Sequence, residues 1–364
     1  MNKTIFCTHC GTANKYGNRF CTHCGAQLVY DASKGASQNQ QQSRRDSVID
    51  NATRTINNWT GENSSVPINL RSFFKQVWKS HSQSEAENIF IAGTPSTTPS
   101  LSEVSSNPVQ PWLYSRVFIG LAFSLLLIAI LNYLGINLQV AFMAILSISV
   151  PLTLMIFFFE INVFKNISLY LTIKICLIGG LFSLIVTLII YMIVGTNSQF
   201  DIFGSTLVGL VEESGKALVG YYFVSKLRLS HIFNGMLVGG AIGAGFAAFE
   251  NIEYATASNS EILEPLIRSV GSLGSHAIWC AITVSAIVLV NGNQPLTFQN
   301  INNWHFARFF LLAVVLHSLW DLQTPFTYVK ILALICVGWI VLFVLIHTGL
   351  REVQFIQNHL TQDK

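Results

Sequence analysis

The sequence predicts an all-α polytopic membrane protein of about eight transmembrane helices, preceded by a small zinc ribbon and a disordered linker. Three observations predict it. The 364-residue chain is 51% hydrophobic and only 11% charged, where soluble domains carry about 25% charged residues. Seventeen of the Asp, Glu, Lys and Arg residues fall in residues 1–110, and only eighteen in the much longer stretch 111–350. Four of the seven cysteines crowd into the first 24 residues. The composition excludes an ordinary soluble enzyme, and for the apolar two-thirds it excludes intrinsic disorder. A net charge of +3 with no long basic run gives no footing for nucleic acid, and no such partner is expected.

Residues 1–28 form the first unit. Cys7, Cys10, Cys21 and Cys24 read C-x-x-C, ten residues, C-x-x-C. That spacing brings two thiolate pairs onto two short knuckles, the ligand set of a structural zinc. A disulfide framework is the competing reading, but the start Met-Asn-Lys-Thr-Ile-Phe-Cys lacks the apolar segment of a signal peptide. His9 and His23 are expected to face solvent inside the knuckles. Cys176, Cys280 and Cys336 lie in apolar runs and are expected as buried small hydrophobes. Up to Cys24 the ribbon carries only Lys3, Lys15 and Arg19 as cations, so its expected partner is an unidentified protein.

Residues 29–110 turn to Ser, Gln, Asn, Thr and Pro and are expected as a flexible polar linker. One patch interrupts it. Val66 to Trp78 spaces Leu70, Phe73, Phe74, Val77 and Trp78 near helical periodicity, with Arg71, Lys75 and Lys79 among them. It reads either as a short helix on an anionic membrane face or as a fragment of no consequence.

Residues 111–350 read as the membrane domain, with spans near 116–134, 138–159, 172–194, 203–224, 231–257, 266–291, 306–322 and 328–348. Residues 351–364 read as a tail. Placing the N-terminus in the cytoplasm gives the inner ends Arg116, Lys165, Lys226, Arg228, Arg308 and Arg351. The outer loops receive Asp201, Glu261, Glu264 and, as a cation, Arg268. The positive-inside rule therefore selects cytoplasmic termini, which also keeps the cysteines in a reducing compartment.

Ionisable residues inside these spans are expensive and ask for a partner or a function. Span four carries Glu212, Glu213 and Lys216; span five carries Glu250 and Asn251; span six carries His276; span seven ends with His317 and Asp321. Counted inward from the outer ends, Glu212, His276, Glu250 and His317 lie roughly nine, ten, seven and five residues deep, at 1.5 Å per residue one slab of the outer half of the bilayer. Glu212 with Lys216, and His317 with Asp321, are i,i+4 pairs able to meet on one helix face. Adjacent Glu212 and Glu213 point about 100° apart, so at most one of the two is expected to face the same cavity as the histidines. Gly239 and Gly243 form a G-x-x-x-G for close backbone approach. Glu160 and Glu253 read as rim charges. The converging carboxylates and imidazoles suit general acid/base work, or a metal with an activated water, or proton-coupled transport.

The ordered set E-E-x-x-K at Glu212 to Lys216, F-A-A-F-E-N at Phe246 to Asn251, S-H-A around His276 and H-x-x-x-D at His317 to Asp321 resembles the PrsW family of intramembrane proteases, within the CAAX-protease and bacteriocin-processing superfamily. The resemblance covers about residues 113 to 348. It implies hydrolysis of a peptide bond in a membrane-bound, anti-sigma-factor-like protein with a single span, in a bacterial plasma membrane. By that likeness Glu212 or Glu213 would be the general base. Glu250 and His276 would bind or polarise the water, directly or through a catalytic metal shared with His317, and His317 with Asp321 would stabilise the oxyanion. Glu250 and Asp321 stand where the prenyl-protein branch has His and commonly Asn, which favours PrsW. A proton-coupled transporter and an inactive scaffold or immunity protein are the alternatives.

Overall fold

A computed structural model describes residues 4–7, 12–15, 17–18, 20–23, 28, 47–195, 201–257, 262–292 and 302–362. At the N-terminus, β1 (Thr4–Phe6) pairs antiparallel with β2 (Ala13–Lys15), Ile5 opposite Asn14. Cys7 and Cys21 are buried beside this hairpin. The Sγ of Cys21 accepts from the Asn14 side chain at 3.5 Å and from the His23 amide at 3.4 Å, donors that suit a thiolate. His23 is exposed. Cys10, Cys24 and His9 lie outside the described residues.

Of the expected linker, residues 29–46 lie outside the described residues, and the rest departs from the expectation. From residue 47 onward it folds onto the membrane helices. Helix α1 (Val48–Trp59) starts in a capping box, with the Ser47 hydroxyl accepting from the Asp50 amide and the Asp50 carboxylate accepting from the Ser47 amide. A short α2 (Leu70–Phe73), a 3-10 turn (Lys75–Trp78) and α3 (Gln83–Phe90) follow. In the box opening α3, hydrogen bonds from Ser82 hold the Glu85 carboxyl below the usual carboxylate range. Ile56, Val66, Phe73, Ala92, Val104 and Trp112 are all buried in the core of the helix bundle, which explains their order: apolar residues spaced without period find a ready-made surface rather than a core of their own.

The bundle comprises α4 (Leu113–Tyr133), α5 (Gln139–Ile161), α6 (Leu169–Lys174) continuing through a π-turn at Ile175–Gly179 into α7 (Gly180–Val194), α8 (Ile202–Leu227), α9 (Ile232–Ala257), α10 (Leu263–Gly271), α11 (His276–Asn291), α12 (Trp304–Asp321) and α13 (Thr327–Gln362). Among the described residues, six stretches are long and apolar enough to cross a membrane: Leu113–Tyr133, Gln139–Ile161, Leu169–Val194, Ile232–Ala257, Pro265–Asn291 and Thr327–Leu360. Helices α8 and α12, the other two expected spans, form but fall short in apolarity, because they carry Glu212, Glu213, Lys216, His317 and Asp321 themselves. The presumed tail is no tail: up to Gln362 it is the end of α13, where Gln357 donates to the Val104 carbonyl at 2.6 Å.

Helices α9 and α11 lie at the centre and are almost wholly buried. They run antiparallel, with Gly235, Gly239 and Gly243 set against Ser285, Cys280 and His276. A Cβ on Gly239 would lie 2.3 Å from the Cys280 carbonyl oxygen, so the G-x-x-x-G does bring two backbones together. Glu160 is buried rather than at a rim. Its carboxylate accepts from the amides of Trp112, Leu113 and Tyr114 at 3.0, 2.8 and 2.7 Å, supplying the cap that the start of α4 otherwise lacks. Of the later cysteines, Cys280 is buried as expected, whereas Cys176 is half-buried and Cys336 is exposed on α13.

Candidate active site

The expected sixth span is broken. Helix α10 ends at Gly271, a 3-10 turn covers Ser272–Gly274, and α11 begins at His276. Polar groups freed by the break find partners: the Trp339 indole donates to the Leu273 carbonyl at 2.9 Å, and the Ile278 and Trp279 amides donate to the Ser275 carbonyl. Asn251 donates to Ser272 Oγ at 3.0 Å and to the Ser147 carbonyl at 3.3 Å, so it braces the break rather than pointing at a substrate. The consequence is that His276 stands in the first turn of α11, beside Glu250 of α9.

Three helices converge on Lys216 of α8. Its ammonium donates to Glu213 Oε1 at 2.7 Å and to His276 Nδ1 at 2.7 Å, lies 3.6 Å from Glu212 Oε2, and sits 4.2 Å from the centre of the Phe246 ring. The nearer partner is therefore Glu213, three residues back, rather than the expected Glu212. An ammonium has no lone pair, so Nδ1 of His276 is the accepting nitrogen. Its Nε2 then donates to Glu250 Oε2, at 2.9 Å.

His317 of α12 is held differently. Its Nδ1 lies 2.9 Å from Glu213 Oε1, which fixes the ring and turns Nε2 toward Glu212 Oε2 at 3.6 Å and Asp321 Oδ2 at 3.4 Å. The Trp279 ring stacks on it with centroids 4.8 Å apart. Both glutamates of the pair therefore meet this one imidazole, not one alone: the ring is wide enough to reach two side chains that leave the helix about 100° apart. They differ in access. The Glu213 side chain is 0% exposed and the Glu212 side chain 11% exposed. Buried Glu212 Oε2 has no hydrogen-bond partner among the described residues.

Thus all seven candidate residues, Glu212, Glu213, Lys216, Glu250, His276, His317 and Asp321, are brought into one connected cluster. Glu253 is not drawn into it. Sequence reasoning missed Arg268, which it placed among the outer-loop cations. Its Nη2 lies 2.8 Å from Glu250 Oε2 and its guanidinium stacks on Tyr254 at 3.5 Å. The available signal was a lone cation inside an apolar stretch, eight residues before His276.

The description "PrsW family intramembrane metalloprotease" matches residues 167–347, which contain every member of this cluster. Residues 167–347 belong to the PrsW family. This PrsW domain is an intramembrane endopeptidase, and it begins later than the resemblance suggested: α4 and α5 precede the match. A zinc-ribbon domain matches residues 6–28, in agreement with the cysteine spacing. No curated protein and no solved structure matches the chain.

Glu212, His276 and His317 each offer one ligand atom, all within 4.8 Å of one another. One carboxylate and two imidazoles are a donor set that catalytic zinc takes. Glu212 Oε2, which has no hydrogen-bond partner among the described residues, and His317 Nε2 stand 3.6 Å apart and could both turn to such an ion, with the Lys216 ammonium 3.6 Å from the carboxylate. Both nitrogens of His276 are engaged, Nδ1 by Lys216 and Nε2 by Glu250, so binding an ion would mean releasing one of them.

Proposed function

We propose that the PrsW domain cuts a single-span membrane protein of the anti-sigma-factor type, at this Glu/His site in the outer half of the bilayer, with both termini of the chain in the cytoplasm. The observation that carries the reading is the buried Glu212 Oε2, which lies 3.6 Å from both His317 Nε2 and the Lys216 ammonium and is hydrogen-bonded to neither. A carboxylate so placed accepts a proton from water. The resulting hydroxide forms the new C–O bond at the scissile carbonyl, and the charge on the carbonyl oxygen is met by His317, whose ring Glu213 and Asp321 orient. As the C–N bond breaks, the proton on Glu212 passes to the leaving amine. Lys216 holds Glu213 and His276 in register, and Glu250 fixes His276. If Glu212, His276 and His317 hold a zinc, the ion would acidify the water and polarise the carbonyl, and Glu212 would then serve as a ligand in place of its role as base.

The test uses full-length protein in detergent with a panel of single-span membrane proteins, cleavage being read by mass spectrometry and zinc counted per chain. Cleavage by wild type that vanishes in Glu212→Gln and His317→Ala is the expected result. A zinc equivalent beyond that of the ribbon, lost in His317→Ala, assigns the metal to the site. A folded wild type that cuts nothing but carries protons across liposomes overturns the reading.

A further inference from the structure

The segment from Val66 to Lys79 wedges two aromatic rings between membrane helices. Phe73 meets Phe157 of α5 and Phe343 of α13 at 6.2 and 5.2 Å between centroids. Phe74 meets Tyr114 of α4 and Trp339 of α13 at 6.3 and 6.5 Å. Tyr114 lies in the first turn of α4, so the segment sits at the level where that span leaves the bilayer. Arg116, two residues on, donates to the Lys79 carbonyl at 2.6 Å and pins the segment there.

What the wedge leaves outside is informative. Trp78 is 88% exposed and Leu70 53% exposed, while Arg71, Lys75 and Lys79 are all exposed around them. Residues 66–79 contain no carboxylate. The outward side forms a groove of about 830 Å³ lined by Asn69, Arg71, Ser72, Lys75, Trp78 and Lys79 among others. Tryptophan favours the boundary between acyl chains and headgroups, and cations there attract anionic lipid.

We propose that this groove is a binding site for an anionic phospholipid of the adjacent leaflet, with Arg71, Lys75 and Lys79 around the phosphate and Trp78 and Leu70 against the acyl chains. The proposal rests on the membrane-embedded helices alone and is independent of how the protease cuts.

The test places full-length protein in nanodiscs of phosphatidylcholine, alone or mixed with phosphatidylglycerol, and reads retained lipid by native mass spectrometry. Wild type is expected to retain phosphatidylglycerol over phosphatidylcholine. Each cation changed to Ala should lower that retention about fivefold, the equivalent of about 1 kcal/mol per cation near a membrane surface. Lys226→Ala, an exposed cation outside the groove, should leave it unchanged. Equal retention in wild type and in the Arg71→Ala, Lys75→Ala, Lys79→Ala variant overturns the proposal and leaves an acidic protein segment as the partner class. Equal loss in Lys226→Ala overturns it as general surface charge. Should the triple variant fail to assemble, wild type and Trp78→Phe decide: brominated acyl chains must quench an emission component that Trp78→Phe lacks, and high salt must release the phosphatidylglycerol.

Discussion

Gly243 lies so close to His276 that a Cβ at position 243 would stand 2.2 Å from the His276 carbonyl oxygen. The backbone of α9 thus sets the position of the first turn of α11, and with it one imidazole of the site. Gly243→Ala should cost about 1–3 kcal/mol by overpacking and should reduce cleavage further than the loss of folded protein explains. Gly120→Ala, where a Cβ meets nothing within 4 Å, should do neither. Thermal unfolding in detergent beside cleavage per folded molecule makes the comparison.

The adjacent glutamates should separate in their failures. Glu212→Gln removes the accepting oxygen and should slow cleavage by about 10²–10⁴ with little change in unfolding temperature. Glu213→Gln strips a fully buried lysine of its nearest carboxylate, so it should also destabilise the fold by about 3–5 kcal/mol.

Arg268 acts through Glu250. Arg268→Ala should lower kcat about tenfold with KM little changed, since the guanidinium touches no reacting atom and loss of a charge-assisted bond costs about 1.5–3 kcal/mol at most. Arg268→Lys should recover only part, because an ammonium cannot both pair with Glu250 and stack on Tyr254. A steady-state series on a cleaved reporter distinguishes this from simple unfolding, which would scale the whole signal.

Glu160→Gln should behave as a stability variant. Three amides at the start of α4 share its carboxylate, and the neutral amide oxygen is a weaker acceptor. A loss of about 1–3 kcal/mol is expected, with cleavage per folded molecule unchanged.

The helices and the order of the motifs were legible because membrane composition and intramembrane charge are local signals: Glu212, Glu250, His276 and His317 each stand out within their own span. The contacts were not. Lys216 meets Glu213 rather than Glu212, and His317 takes both, because side-chain reach and interhelical placement override the helical wheel. The docking of residues 47–112 was hidden for another reason: Ile56, Val66, Phe73 and Trp112 complete a surface supplied by distant helices, and such positions have no period of their own. The break before His276 falls at Ser272–Gly274, inside what the hydropathy reads as one span near 266–291; the serines and glycines of residues 269–275 carried the signal, and window-averaged apolarity masks it.

The cluster draws on α8, α9, α11 and α12, while α4 and α5 already share the Glu160 cap before any of these has been synthesised. The early hairpin therefore has its polar contact within itself, whereas Glu213 finds its imidazole only when the chain has grown by another hundred-odd residues to His317. The order of the chain thus makes the seven-residue cluster one of the last features of the molecule that can close.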